Sequence, residues 1–242
     1  MSIYTIADLH LSIAHPEKSM HIFGRQWNQY EERIERNWRA LVEESDSVII
    51  PGDISWAMHL SDAEKDFAFL DSLPGKKYIG KGNHDFWWTT ASKISAFWKE
   101  HEFHTLHMLY NNAYLIEGKI ICGTRGWFFD EKSQHTATPT DFEKLCNREY
   151  IRLKLSLDEG MKLRSIHGES LPLYVFLHFP PIWGAERCEN LLALLREYRV
   201  KACYYGHIHG CYHLPEVTDF EGIPLYLISS DHINFLPYHI CD

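Results

Sequence analysis

KGNHDFWW, residues 81–88, follows an apolar-leaning segment, Lys77–Gly80, and sets Gly82, Asn83, His84 and Asp85 side by side. Gly, Asn and Asp are turn formers, so the stretch reads first as the end of a strand. The same residues can also bind metal and move protons, so it reads equally as a site. The choice depends on whether other strand ends carry the same chemistry.

They do. Ile3–Ala7 reads as a strand and runs into Asp8-Leu9-His10. Side chains two apart on a strand share a face, so a carboxylate and an imidazole point the same way. SVIIP, residues 47–51, reads as a buried strand and runs into Gly52-Asp53. Leu173–His178 ends on a histidine followed by Phe179-Pro180-Pro181, and Ala202–Gly206 runs into His207-Ile208-His209. Each signal alone has an ordinary structural reading as a turn or a hydrogen-bonded histidine. Five of them, each at a strand end, point to one shared metal site.

The donors are three oxygen ligands, Asp8, Asp53 and Asn83, and four imidazoles, His10, His178, His207 and His209. No thiolate is among them. Seven protein ligands exceed what one tetrahedral zinc uses and leave room for two ions with open positions. A carboxylate can bridge two ions, and Asp53 is the natural bridge. Such a pair of ions clamps a phosphoryl group and activates a water.

The segments between these ends read as helices. Residues 28–44 place Ile34, Trp38, Leu41 and Val42 on one apolar face. Residues 62–72 form a helix opened by a Ser61–Glu64 capping box, and Thr140 with Glu143 opens another that runs into the 150s. Tyr114–Gly118 and Lys119–Gly123 read as a hairpin, Cys188–Tyr198 as a helix and Pro224–Ser229 as a strand. The alternation predicts an α/β layered domain with ligands at the carboxyl ends of its strands. With no repeat and no linker, residues 1–242 read as a single domain.

Composition narrows the class. With 45% hydrophobic residues, 242 residues can bury a sizeable core. A net charge of -9 disfavours a general binder of nucleic acid or anionic membrane. Six cysteines without a CxxC pair suit reduced thiols in a cytoplasmic protein rather than disulfides or zinc knuckles. No signal peptide or long apolar run is visible, so no membrane segment is expected.

D-x-H, G-D, G-N-H-D, H and G-H-x-H, in this order from Asp8 to His209, resemble the calcineurin-like metallophosphoesterases. GDISWAM (52–58), KGNHDFWW (81–88) and GTRGW (123–127) are similar to an uncharacterised, mostly bacterial group of phosphohydrolases within that superfamily. The resemblance implies a four-layer αββα sandwich of two mixed sheets. It implies that Asp8, His10, Asp53 and His209 hold one ion, and that Asp53, Asn83, His178 and His207 hold the other. His84 would stand beside the leaving group as proton donor or electrostatic stabiliser, with Asp85 orienting its ring. The implied reaction is hydrolysis of a phosphate ester by a hydroxide bridging two divalent ions, with no covalent enzyme intermediate. Mixed oxygen and nitrogen ligation admits Mn²⁺, taken first, and also Fe, Zn and Mg. A scaffold without catalysis is the rival class, and its known example has lost the histidine that His84 supplies. A nuclease is a second rival, opposed by the acidic charge.

Other residues remain open. Arg125, between two glycines, either holds a phosphate oxygen or makes a structural ion pair. His101, His104 and His107 read as a solvated helix face or its end. Trp56, Trp87 and Trp88 read as packing under the loops, or else as walls of the substrate pocket. HIFGRQW (21–27) is a candidate specificity wall, and residues 130 to 140, with Thr138, Pro139 and Thr140, a candidate flap.

Overall fold

The computed structural model describes residues 1–127 and 139–241, and the side chains of these apart from residues 139–142. Two sheets form most of it. The first contains β1 (Ile3–Thr5), β2 (Ser47–Ile50), β3 (Lys76–Ile79), β4 (Leu106–Met108) and a short closing strand, β13 (Tyr238–His239), in the order β13-β1-β2-β3-β4. Helices α1 (Tyr30–Leu41), α2 (Glu64–Ser72) and α3 (Ala91–Glu100) make its parallel crossovers, and only β13 runs antiparallel.

The second sheet contains β5 (Ala113–Ile116), β6 (Lys119–Thr124), β7 (Leu173–Leu177), β10 (Ala202–Tyr205), β11 (Val217–Phe220) and β12 (Ile223–Leu227), in the order β11-β12-β10-β7-β6-β5. Its parallel centre is crossed by α4 (Pro139–His167) and α5 (Glu189–Glu197), and each edge is an antiparallel hairpin. A two-residue ribbon, β8 (Ile182–Trp183) with β9 (Glu186–Arg187), lies between β7 and α5 in sequence.

The strand period sorts the core into three layers of packing. Val48 and Ile50 of β2 meet Ile34, Trp38, Phe67 and Trp98 from the helices of the first half. Leu173, Val175 and Leu177 of β7 meet Leu153, Leu157, Leu191 and Leu195 of α4 and α5. The alternate positions, Ile49 on β2 and Tyr174 and Phe176 on β7, share a cluster between the sheets with Ile3, Tyr78, Ile121 and Tyr204. The result is helices, sheet, sheet, helices: the αββα arrangement expected from the sequence.

Several boundaries differ from expectation, each for a local reason. The first helix starts at Tyr30 because Gln29 sits at φ 49°, in the left-handed region. It stops at Leu41, and Val42 is extended; Ile34, Trp38 and Val42 are buried whereas Leu41 is exposed. The Ser61–Glu64 capping box does not form. A 3₁₀ turn at Leu60–Ala63 precedes α2, and the Ser61 hydroxyl donates to Asp62 instead. The hairpin is present, turned by Glu117 at φ 46° and Gly118 at φ 72°, the pair of left-handed residues a two-residue hairpin needs. The Thr140 side chain, and the proposed flap up to residue 138, lie outside the described residues. No helix among the described residues is long and apolar enough to cross a membrane.

Candidate metal centre

Every expected ligand follows the carboxyl end of a strand. Asp8 and His10 follow β1, Asp53 follows β2, Asn83 follows β3, His178 follows β7, and His207 and His209 follow β10. The chain bends sharply to aim them. Asp8, His10, Asp53 and His207 all have left-handed φ, at 60°, 47°, 53° and 72°. Four non-glycine residues in that region within one site is stored strain, which the surrounding structure must enforce. Two glycines make room for it. A Cβ on Gly82 would overlap the Asp53 carboxylate, and one on Gly206 would overlap that of Asp8.

The side chains converge in two compact groups of donors, Asp8 with His10 and His209, and Asp8 with Asp53 and His178. Nε2 of His10 and Nε2 of His209 lie 3.2 Å apart. Two nitrogens each about 2.0–2.1 Å from one ion sit at roughly that separation. Asp8 is common to both groups, and Asp53 Oδ2 lies 3.5 Å from His10 Nε2 and 3.5 Å from His178 Nε2, so it too reaches a histidine of each group. Asn83 Oδ1 is 2.6 Å from His178 Nε2. His207 stands outside both groups, with its ring 5.1 Å from that of His178 and its backbone N–H donating to Asp8 Oδ2.

The donor set fits divalent cations. Asp8 Oδ1 and Asp53 Oδ2 are buried, and neither accepts a hydrogen bond. Buried carboxylate oxygens without partners are costly unless a cation serves them. Burial raises the Asp8 carboxyl to about 6, against the pull of His209. It raises Asp53 well above the usual range, reinforced by the charges of Asp85 and Asp8. Burial also keeps His10 and His178 far below the usual imidazole range, helped by neighbouring histidines, and takes His207 to about 3. Neutral imidazoles beside carboxylates without countercharge are the form in which these groups ligate metal. Open volume alone points elsewhere. Grooves of about 690 and 600 Å³ hold none of the seven ligands.

The sequence model of the calcineurin-like phosphoesterase family matches residues 1–211. This chain belongs to that family. It is a metal-dependent phosphohydrolase. No curated protein matches its sequence. Among solved structures it is similar to a phosphopantetheinyl hydrolase from Mycobacterium tuberculosis, at 12% identity and a TM-score of 0.57, over 99% of this chain and 95% of that one. It is also similar to a protein of Thermus thermophilus, at 11% identity and a TM-score of 0.55, over 95% and 89% of the two chains. At such identities the likeness is one of fold.

Around the ligands of this phosphoesterase, the structure revises the role expected of Asp85 and places the other candidates. Asp85 does not orient His84. Its carboxylate accepts from the backbone N–H groups of Gly82 (2.7 Å), Asp53 (2.9 Å) and Ile54 (2.8 Å) and from Trp87 Nε1 (3.0 Å). It thus ties the loop after β2 to the loop after β3, while His84 Nδ1 has no hydrogen-bond partner. The His84 ring is set by aromatic contact, 4.6 Å from Trp56 and 5.6 Å from His10. Burial, with help from His209, lowers its pKa.

Trp56 packs against the first core cluster and also stacks on His10, at 4.9 Å and 24°. Trp87 is core, edge-on to Phe67. Arg125 is drawn to Glu149, with Nη2 3.5 Å from Oε1, and lies over Trp127 at 4.4 Å. In HIFGRQW, Trp27 is buried against His209 at 5.4 Å, while Ile22 and Phe23 are exposed. His101 ends α3 beside Glu64, and His107 stacks on Tyr78 from β4.

Asp231 was missed. It follows β12, and its Oδ1 lies 2.8 Å from His209 Nδ1; it also accepts from Gly210 N–H and the Tyr212 hydroxyl. Burial works against protonation of His209, but the bond to Asp231 and the charges of Asp8 and Asp231 together outweigh it and raise the pKa. A carboxylate on the far nitrogen of a ligating imidazole fixes which nitrogen faces the metal. The available signal was a further strand end, Ser229-Ser230-Asp231 after Leu227.

Proposed function

We propose that the protein hydrolyses a small-molecule phosphate ester with two divalent ions, Mn²⁺ first among the candidates. Asp8, His10, Asp53 and His209 hold one ion, and Asp53, Asn83, His178 and His207 hold the other. The observation that carries the reading is Asp53 Oδ2, buried, without a hydrogen bond, and equidistant from His10 and His178. When bound, the ions neutralise the phosphoryl oxygens and lower the pKa of a water.

The chain's own residues do the rest. Asp85 holds the two ligand loops together, and Asp231 keeps the tautomer of His209 in which Nε2 is free to ligate. His84, half-buried and free at Nδ1, gives a proton to the departing oxygen or stabilises its charge. Trp56 holds the His84 ring in place.

Protein reconstituted with excess Mn²⁺ is expected to approach two equivalents by elemental analysis. Full activity with zero or one ion sinks the two-ion reading. A panel of mono- and diester nitrophenyl phosphates then separates the substrate classes. His84→Gln is expected to keep both ions and slow hydrolysis of alkyl esters by roughly 10²–10⁴-fold. Nitrophenyl esters, which need little help in leaving, should lose less. No loss with either class removes His84 from the mechanism.

A further inference from the structure

Glu149, on α4, has a fully buried side chain. Three guanidinium groups converge on its Oε1: Arg152 at 2.6 Å, Arg148 at 3.3 Å and Arg125 at 3.5 Å. Its Oε2 has no hydrogen-bond partner, and neither has the buried Nε of Arg125. A fourth cation, Lys81, sits half-buried within the electrostatic reach of Arg125 and Arg152. No ion pair or hydrogen bond engages its ammonium among the described residues. Three guanidinium groups thus face one carboxylate, and Lys81 adds a fourth cation within reach of Glu149 and Asp85, in a chain whose net charge is -9.

This surplus adjoins the metal centre. The Arg125 carbonyl accepts from the backbone N–H groups of both His178 and Phe179, at 3.0 Å each. Lys81 stands two residues before Asn83 on the same loop. Stability does not require such an excess. One arginine would satisfy one buried carboxylate, and each further cation is repelled by its neighbours. A phosphate removes the conflict, because it is dianionic near neutral pH and its oxygens match the guanidinium fork. The scissile phosphoryl group belongs to the metal centre, so this anion is a different one.

We infer that Lys81, Arg125, Arg148 and Arg152 form a second anion subsite beside Asn83 and His178, which takes a further phosphate group carried by the substrate. The substrate class is then a bisphosphorylated ester. This rests on the phosphoesterase reading of the metal centre, and the test separates the two.

With Mn²⁺-loaded enzyme, thymidine 5′-(p-nitrophenyl phosphate) is compared with the same ester bearing a 3′-phosphate. The added phosphate is expected to lower KM roughly 10- to 100-fold, the span of one or two charge-assisted contacts, and the advantage should shrink with added salt. Lys81→Met and Arg152→Gln should each remove most of it, acting on KM more than on kcat. Lys81→Met breaks no ion pair, so it serves if Arg152→Gln disturbs Glu149. A KM ratio of about one in the wild type, or a preference that survives in both variants, overturns the subsite. Calorimetric titration of adenosine 3′,5′-bisphosphate and adenosine 5′-monophosphate into the same protein reads the subsite without turnover. Tighter binding of the bisphosphate that is lost in the variants supports it even if no ester is hydrolysed, the result that sinks the phosphoesterase reading alone. Equal binding of the two nucleotides overturns the subsite.

Discussion

Two buried acidic groups lie near each other in this molecule and meet opposite fates. At the metal centre, Asp8 and Asp53 have buried oxygens with no donor, and His10 and His178 beside them are held neutral. At Glu149, one carboxylate collects three guanidinium groups. Burying a carboxylate is costly in both places. Only at Glu149 does the chain supply permanent cations as countercharge; at the metal centre it offers Asp8 no more than the His209 imidazole. The difference separates an acid used for structure from an acid used as a ligand more clearly than burial does, since all three side chains are almost fully buried.

The comparison breaks most visibly at Glu149. Glu149→Gln keeps the shape and removes the charge that three arginines share. Losing one side of a buried pair costs about 3–5 kcal/mol. Urea unfolding should report a loss of that size, with the metal content of the folded protein unchanged. A loss under about 1 kcal/mol would mean that solvent screens the arginines and that Glu149 is not their anchor.

The opposite pattern is expected at Asp53. Asp53→Asn should weaken metal binding by more than about 100-fold, beyond the roughly 10–100-fold typical of a partner that touches a ligand from outside. Competition with a chelator measures it. Two ions held as tightly as in the wild type would end the bridging assignment. Asp231→Asn sharpens the contrast from outside the ligand set. It should cost roughly 10–100-fold in affinity for one ion, through a misplaced His209 tautomer. If both ions weaken equally, Asp231 acts on the fold of the site rather than on that imidazole.

How much of this was legible in the sequence follows from the same physics. The ligand loops were readable because strand ends and a period of two put Asp8 with His10 and His207 with His209 in recognisable pairs. A layered α/β domain was readable from the alternation of strands and helices, whereas the four αββα layers came only with the family resemblance. Asp231 was not, since a lone carboxylate after a strand is ordinary turn chemistry until a histidine from another loop meets it. Glu149 was not, because an acid among arginines on a long helix looks like a solvated ion pair. The stacking of Trp56 on His10 was not legible, because it depends on how the loops after β1 and β2 pack together. Asp85 was misassigned for the opposite reason. Its place next to His84 suggested a local partner, but its hydrogen bonds run to the loop after β2 and to Gly82 and Trp87 of its own loop.

The smallest effect tests the comparison by its sign. The Asp53 carboxyl is raised well above the usual range, first by burial and then by the charges of Asp85 and Asp8. In metal-free protein, the folded state therefore binds a proton at Asp53 where the unfolded chain, with a pKa of about 3.9, has released it. Stability falls as pH rises through that window, and the penalty is complete above the native pKa. Asparagine does not titrate and carries no penalty. Metal-free Asp53→Asn should thus be more stable than the wild type at pH 8, by about 0.5–2 kcal/mol, the size of a typical stabilising change. The advantage should shrink as pH falls through the native pKa of Asp53, where Asp53 itself takes up a proton. The difference between their urea curves reads Asp53 together with the groups it touches, Asp8, Asp85, His10 and His178. Glu149→Gln should be destabilising across the same range, because the charge it removes has partners. If metal-free Asp53→Asn is instead the less stable protein at pH 8, the chain already compensates the Asp53 carboxylate, and the contrast with Glu149 fails.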